Sequence, residues 1–257
     1  MKTFLKEIDA KYLNGFLRNV HGIIPALHLK YKESQVTSIP KKFEVIFSLS
    51  ARYDFFKQAQ YYLQVNRVDG IYAEFGCHEV NTFRMALRTL GLPGRPNKIS
   101  KFYAFDSFEG MPEPEGIDRQ KIWRKSMNAT SEEAFLRTVK KDQHRVRTVK
   151  GFYENTLPNF SFEEHEKIAL AYLDCDYHSS TKACLDFLNG KFQHGCLLAF
   201  DDWDCYYSDP KRGQKLAFSE FKDSTKSQYY FEELCNIASG GKCFVVLEID
   251  KLGVEIL

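Results

Sequence analysis

Long apolar runs are missing from this sequence of 257 residues. None of its apolar stretches approaches the ~20 residues that a helix needs to cross a bilayer. The first residues, MKTFLKEIDAKYLNGFLRN, carry a charged side chain every few positions and therefore lack the apolar core of a signal peptide. We expect no membrane span and a cytoplasmic protein.

Paired cysteine motifs and a strong charge of one sign are also missing. The seven cysteines form no CxxC pair and their number is odd, which argues for reduced, buried thiols and against a disulfide or zinc framework. The net charge is only +2, and no basic stripe is interleaved with the aromatic residues. A nucleic-acid partner is therefore not expected.

The chain shows two regimes, which we assign to a helical extension at 1–66 and a larger domain at 67–257. In the first, apolar residues between Phe43 and Leu63 recur at about the ~3.6-residue period of a helix. The stretch KKFEVIFSLSARYDFFKQAQYYLQ therefore predicts one or two amphipathic helices. We expect the extension to serve as a lid or as a contact in a homo-oligomer.

From residue 70 onward, short apolar runs alternate with amphipathic stretches. IYAEF, KFYAFD, RVRTVKG, KIALAYLD and CLLAFDD predict five strands, and QYYFEELC with KCFVVLEID predicts an antiparallel hairpin. TSEEAFLRTVKKD predicts a helix with a capping box from Thr130 to Glu133. This alternation indicates an α/β fold, a doubly wound and mostly parallel sheet with helices on both faces. Ligands of such sheets bind at the carboxyl ends of the strands.

The first two strands end in motifs that suit a nucleoside ligand. AEFGCHEVNTF places Gly76 directly after a strand, where backbone can approach a ligand, although a tight turn would explain the same glycine. Glu74 would repel a phosphate and suits a cofactor that is cationic or presents amines and hydroxyls. In YAFDSFEGMP, Asp106 lies one βαβ unit later, where a carboxylate can accept both ribose hydroxyls. Turn capping by Asp106 or Ser107 is the alternative.

LAYLDCDYHSST and LLAFDDW form the strongest chemical pair. Asp174 and the doublet Asp201 and Asp202 end strands that we expect to be neighbours. Three carboxylates together make an all-oxygen site for Mg²⁺, and capping of the following helices is the alternative. Asp176 is close enough to be a fourth ligand or a general base. His178 is a further candidate base, although a surface or hydrogen-bonded role is more usual.

In this order, AEFG, FDSFEGMP, VKGFYENTLP, LAYLDCDYHSST and LLAFDDW closely resemble motifs of the macrocin O-methyltransferase family. The resemblance covers residues 70 to 205, and DSFEGMP and GFYENTLP are its specific parts. It implies a Rossmann-like class I methyltransferase fold, a seven-stranded sheet with a reversed last strand. It also implies S-adenosylmethionine and Mg²⁺ as cofactors. The implied acceptor is a hydroxyl of a sugar, of a sugar-containing natural product or of a polysaccharide precursor.

The resemblance further assigns residues to the cofactor, the metal and proton transfer. The implied cofactor residues are Glu74, Gly76, Cys77, Asp106, Ser107, Gly151, Phe152 and Asp174. The implied metal ligands are Asp174, Asp201 and Asp202. Asp176 is the implied general base. Asp174, and His178 from the sequence alone, complete the catalytic candidates.

Three points stay open at the level of sequence. CHEVNTF departs from the family, which usually has a further glycine or other small residues after EFG, and this departure favours a non-catalytic methyltransferase-fold binding subunit. An apolar strand that ends in DxD also occurs in metal-dependent glycosyltransferases that bind a nucleotide sugar. Trp203, Tyr206 and Tyr207 follow the acidic doublet and either stack on a sugar ring or pack in the core.

Overall fold

A computed structural model describes residues 39–92, 94–238 and 240–253 of the protein. The chain divides into two compact units, Met1–Ser50 and Ala51–Leu257. The described part of the first unit is the beginning of helix α1 (Ile39–Val65), and the second unit holds the remainder of α1 and the sheet. The predicted lid or oligomer contact falls mainly on residues outside the described ranges. It stays a prediction, as does the predicted boundary at residue 66.

One sheet organises the second unit. Within the described residues it has seven strands, in the order β3-β2-β1-β4-β5-β7-β6. They are β1 (Gly70–Phe75), β2 (Ile99–Asp106), β3 (Val146–Lys150), β4 (Ile168–Leu173), β5 (Phe192–Phe200), β6 (Tyr229–Ile237) and β7 (Gly241–Glu248). The first five pair in parallel, whereas β7 is antiparallel to both β5 and β6. The mostly parallel sheet, its reversed strand and the closing hairpin are confirmed.

Helices connect the strands and cover both faces of the sheet. After α1 they are α2 (Asn81–Thr89), α3 (Glu132–Thr138), α4 (Tyr153–Thr156), α5 (His178–Leu188) and α6 (Gly213–Thr225). The predicted amphipathic stretch forms the single helix α1, which has 27 residues. Among the helices of the described ranges, none is long and apolar enough to cross a membrane.

Aromatic side chains pack the helices against the sheet. They reach both of its faces because successive strand residues point to opposite faces. Tyr72 and Tyr172 lie on the face covered by α1, where the ring centre of Phe56 is 6.2 and 5.6 Å from theirs. On the other face, Phe75 stacks on Phe105 at 4.6 Å. Each of these fully buried rings contributes about 1.5–3 kcal/mol to folding. This packing therefore holds in place the sheet that carries the loops at its edge.

The register brings the carboxyl ends of the central strands to one level. Phe75 pairs with Leu173, and Leu173 pairs with Phe200. The next residues continue the ladder, since the amide of Asp174 donates to the carbonyl of Phe75 at 2.8 Å and the amide of Asp201 donates to that of Leu173 at 2.9 Å. The acidic residues that follow β4 and β5 therefore leave the sheet side by side, as predicted.

Gly76 lies in the same row, directly after β1. Its φ is +92°, and a Cβ atom there would lie 1.8 Å from the carbonyl oxygen of Asp174. Only glycine permits both this left-handed backbone and this approach. The packing of two neighbouring strand ends therefore requires the glycine, whatever ligand it also serves.

The predicted capping box at the start of α3 is wrong. The N-cap is Ser131, whose Oγ accepts a hydrogen bond from the amide of Ala134 at 3.3 Å. Thr130 instead accepts a hydrogen bond from the amide of Glu79 at 3.2 Å. Two hydroxyl residues stand next to each other in this sequence, and a contact with the loop after β1 occupies the first of them.

Candidate active site

Three carboxylates meet where β4 and β5 end. Asp174, Asp201 and Asp202 each offer an oxygen atom within 4.8 Å of the other two. Burial raises the pKa of Asp174 well above its ordinary value, and the neighbouring carboxylates raise it further. Such a group of like charges is stable only with protons or a cation among them. Carboxylate oxygens are the donors that Mg²⁺ prefers, so this donor set fits the implied metal.

Arg52 of α1 already supplies one positive charge to this cluster. Its Nε donates to Oδ1 of Asp201 at 2.9 Å, and a terminal guanidinium nitrogen donates to Oδ2 at 2.5 Å. The hydroxyl of Tyr172 donates to Oδ1 of the same carboxylate. Sequence reasoning missed Arg52, although a usable indication existed. It is a lone charge on the helix stripe that also contains Phe56, Ala59 and Leu63, all of which are buried.

Asp176 lies beside the cluster in a strained backbone conformation. Its φ is +56°, a left-handed value that is uncommon for residues other than glycine and asparagine. Its amide donates to Oδ2 of Asp202 at 3.0 Å, and its side chain is only 8% exposed. Burial and the Asp202 carboxylate raise its pKa well above the ordinary value. A carboxylate of this kind, held in strain at a strand end, is a good candidate base.

Asp176 also belongs to a second group of possible metal ligands. Asp176, Asp202 and Cys205 offer ligand atoms within 4.8 Å of one another. Asp202 is shared by both groups, and the side chain of buried Gln214 fixes its backbone, accepting from the Asp202 amide at 2.9 Å. The geometry therefore keeps open whether Asp176 is a base or a ligand.

Helix α5 starts two residues after Asp176 and receives its cap from a distant loop. The N-cap residue Tyr177 makes no side-chain capping bond. Buried Asp118, from the loop between β2 and α3, accepts hydrogen bonds from the amides of His178 at 2.7 Å and Ser179 at 3.4 Å. The imidazole of His178 lies 2.9 Å from a carboxylate oxygen of Glu220. Asp118 thus joins the loop that begins with DSFEGMP to the segment that carries the acids.

We predict that Asp118→Ala lowers the free energy of unfolding by about 1–2 kcal/mol. Two helix amides lose their acceptor, and the carboxylate no longer offsets the positive end of the helix. Urea denaturation followed by circular dichroism measures the loss. Asp118→Asn retains one acceptor oxygen without the charge and should fall between the two proteins. Equal stability of Asp118→Ala and wild type would contradict the cap.

Glu74 is fully buried beneath the first loop. Thr82 donates to its Oε1 at 2.6 Å, and the hydroxyl of Tyr72 donates to its Oε2. Burial raises the pKa of Glu74 to about 8. Its side chain has no exposed surface, so here it supports the loop from below. The implied contact of Glu74 with the cofactor stays a prediction.

Asp106 ends β2 and holds the loops on either side of it. Its Oδ2 accepts from the amide of Cys77 at 2.6 Å and its Oδ1 from the amide of Phe108 at 2.6 Å. The amide of Gly151 donates to its backbone carbonyl at 2.9 Å. A carboxylate has about four acceptor sites, so two remain for the hydroxyl pair of a ribose. Asp106 thereby fits the implied cofactor.

Ser107 and Phe152 lie next to these contacts. The hydroxyl of Ser107 donates to the carbonyl of Gly110 at 2.7 Å and shapes the turn after β2. Phe152 is half-buried and is the N-cap residue of the short helix α4. Asp106, Ser107, Gly151 and Phe152 therefore form neighbouring strand ends and loops, as the predicted cofactor site requires.

The loop CHEVNTF keeps a backbone that would suit glycine. Glu79 and Val80 have φ values of +55° and +61°, in the left-handed region that L-residues rarely enter. A β-branched residue such as Val80 is a marked outlier there. At these two positions the departure from the family pattern changes the side chains, while the backbone adopts the conformation that glycine would allow.

The three aromatic residues after the doublet have different roles. Trp203 packs against Phe200 and Phe244, with ring centres 5.3 and 5.2 Å away. Tyr206 is buried and its hydroxyl donates to the carbonyl of Asp118 at 3.1 Å. Tyr207 is 93% exposed. Core packing therefore accounts for Trp203 and Tyr206, and only Tyr207 is open to an acceptor.

Comparison with known proteins places the chain in a family. It is similar to the structure of the O-methyltransferase NovP at 22% identity, over 77% of this chain and 80% of that chain, with a TM-score of 0.59. It is similar to CalS11, a calicheamicin methyltransferase, at 22% identity over 86% and 90% of the two chains, with a TM-score of 0.61. These similarities show the fold. No curated protein matches the sequence.

The family profile of macrocin O-methyltransferase (TylF) matches residues 42–237, which is more than half of the chain. The match includes α1 from residue 42, the strands β1 to β6 and every candidate site residue. The chain therefore belongs to the macrocin O-methyltransferase (TylF) family and is a methyltransferase.

Proposed function

We propose that the enzyme transfers a methyl group from S-adenosylmethionine to a hydroxyl of a sugar-containing small molecule, with Mg²⁺ at the acid cluster. The observation that carries the proposal is the cluster itself, three carboxylates with oxygens within 4.8 Å at the ends of β4 and β5. Family membership supports methyl transfer. CalS11, which is described as a TDP-rhamnose 3'-O-methyltransferase, supports a sugar acceptor.

The cofactor would lie across the ends of β1, β2 and β3. Asp106 would accept the two ribose hydroxyls with its remaining acceptor sites, and Gly151 and Phe152 would lie beside the adenine. Gly76 and Cys77 would contact the methionine part, with Glu74 beneath them. When bound, S-adenosylmethionine supplies an electrophilic methyl group.

Asp174, Asp201 and Asp202 would hold the Mg²⁺, which lowers the pKa of a coordinated hydroxyl. Asp176 would take the proton from the acceptor hydroxyl, because it is a buried carboxylate adjacent to the cluster. Exposed Tyr207 would stack on the acceptor ring. The loops would hold both substrates together, which supplies a large part of the rate enhancement.

Calorimetry with S-adenosylmethionine tests the cofactor, and the variant Asp202→Asn tests the metal. We expect wild type to release heat and to form S-adenosylhomocysteine with Mg²⁺ and a panel of sugar acceptors that includes TDP-rhamnose. Asp202→Asn should retain cofactor binding and lose the turnover that Mg²⁺ supports. Asp223→Asn, on an exposed part of α6, is the matched control. Absence of heat at millimolar cofactor would support the non-catalytic binding subunit instead.

A further inference from the structure

Asp201 has positively polarised partners on both of its oxygens. Oδ1 accepts from Nε of Arg52 and from the hydroxyl of Tyr172, and Oδ2 accepts from the guanidinium at 2.5 Å. The carboxylate is nearly buried, and the Arg52 side chain is 23% exposed. A bidentate pair of this kind is strong and fixed in geometry. Asp201 is therefore the ligand of the cluster that already has a cation.

Among the described residues, neither Asp174 nor Asp202 has a hydrogen bond or ion pair with a cationic side chain. Asp202 accepts from the amide of Asp176 at 3.0 Å instead. The three carboxylates thus differ, although all belong to one cluster. A divalent ion would find two carboxylates without a cationic partner and a third that is bound to arginine.

We propose that Arg52 is an internal counter-cation that competes with the divalent ion for Asp201 and so lowers the metal affinity of the site. This inference rests on the proposed metal site. The ion and the guanidinium repel each other. Arg52 and Tyr172 together already occupy three of the about four acceptor sites of the Asp201 carboxylate. Coordination through both oxygens of Asp201 requires that Oδ1 give up a hydrogen bond, either to Nε of Arg52 or to Tyr172. Arg52 thereby keeps the cluster assembled without metal and makes metal binding weak and reversible.

An alternative role for Arg52, orienting Asp201 as a metal ligand, predicts the opposite change in metal affinity when Arg52 is removed. If Arg52 only orients Asp201 as a ligand, its removal disorders the carboxylate and weakens metal binding. If Arg52 competes, its removal strengthens metal binding, because Asp201 is left as a buried charge without a counter-ion. The direction of the change in metal affinity therefore separates the two.

The experiment measures Mn²⁺ affinity by electron paramagnetic resonance in the absence of cofactor and acceptor. We expect Arg52→Gln, which retains a hydrogen-bond donor without the charge, to bind Mn²⁺ about tenfold or more tightly than wild type. Arg52→Lys retains the charge but makes a single point contact, so its affinity should rise by about threefold. Arg67→Gln, at an exposed position just after α1, is the matched control and should equal wild type.

Stability gives a second readout that does not depend on turnover. Without metal, Arg52→Gln should unfold at a lower temperature than wild type, and Mg²⁺ should raise its Tm by more than it raises that of wild type. If Arg52→Gln does not fold, the affinity of Arg52→Lys decides. Unchanged or weaker Mn²⁺ binding by the folded Arg52 variants would overturn the proposal.

Asp202→Asn separates failure of this inference from failure of the proposed metal site. One outcome is that wild type binds Mn²⁺, Asp202→Asn does not, and the Arg52 variants bind Mn²⁺ no more tightly than wild type. This outcome overturns the competition by Arg52 and supports the proposed metal site. Binding by Arg52→Gln alone supports the competition. An absence of Mn²⁺ binding in every protein overturns both.

Discussion

We expect Asp176→Asn to lower kcat by about 10²–10⁴-fold while the protein stays folded and binds S-adenosylmethionine as wild type does. This range is what the loss of a positioned general base costs. Asparagine matches the shape of aspartate and tolerates the left-handed φ of +56° at this position. It also removes a carboxylate whose ionised form burial and Asp202 disfavour. Formation of S-adenosylhomocysteine measures kcat, and calorimetry measures cofactor affinity.

The same variant decides between the two roles that the sequence left open for Asp176. If Asp176 is the base, Mn²⁺ affinity changes little and added Mg²⁺ does not restore kcat. If it is a ligand in the group with Asp202 and Cys205, Mn²⁺ affinity falls and high Mg²⁺ recovers part of the rate. Asp186→Asn changes an exposed aspartate of α5 and is the matched control. A kcat within a few-fold of wild type would contradict both roles.

The fold could be predicted from the sequence because its evidence is local. Strand runs such as IYAEF and LAYLD are short and apolar, and each is followed by a turn and a helical pattern. A parallel sheet then brings the carboxyl ends of its strands to one edge. The meeting of Asp174 with Asp201 and Asp202 follows from that rule, because β4 and β5 are neighbours.

The partners of these residues could not be predicted in the same way because they are distant in sequence. Arg52 is 149 residues from Asp201, and Asp118 is 60 residues from the amide of His178 that it caps. No periodicity connects such pairs. Ser131 caps α3 instead of the predicted Thr130 for the same reason. Thr130 makes a tertiary contact with Glu79, and this contact overrides the local capping motif.

Buried Glu74 leads to the second large effect, a change in how stability depends on pH. Burial raises its pKa from 4.5 to about 8 in the folded protein. Between these values the folded state holds a proton that the unfolded state has released, so the free energy of unfolding falls as pH rises. The stabilisation by this retained proton is fully present below pH 4.5. As pH rises through the pKa of the folded state, the free energy of unfolding falls by roughly 3–5 kcal/mol in total.

We predict that Glu74→Gln removes this pH dependence. The variant should have stability close to that of wild type at pH 5 and exceed it by a few kcal/mol at pH 9. Glutamine retains an acceptor for Thr82, and hydroxyl oxygens of Thr82 and Tyr72 can accept from its amide. Urea denaturation at both pH values gives the difference. Other buried carboxylates titrate in both proteins, so the comparison isolates Glu74.

Glu133→Gln is the matched control, because Glu133 is an exposed glutamate of α3 and should show no such difference. A constant stability gap between Glu74→Gln and wild type from pH 5 to pH 9 would contradict the raised pKa. Calorimetry on the same variant tests the cofactor contact that the family resemblance implies for Glu74. If the carboxylate touches the cofactor, affinity falls sharply. If Glu74 acts only through Thr82 and Tyr72, the loop keeps its shape and affinity is retained, because the glutamine side chain preserves the support beneath it.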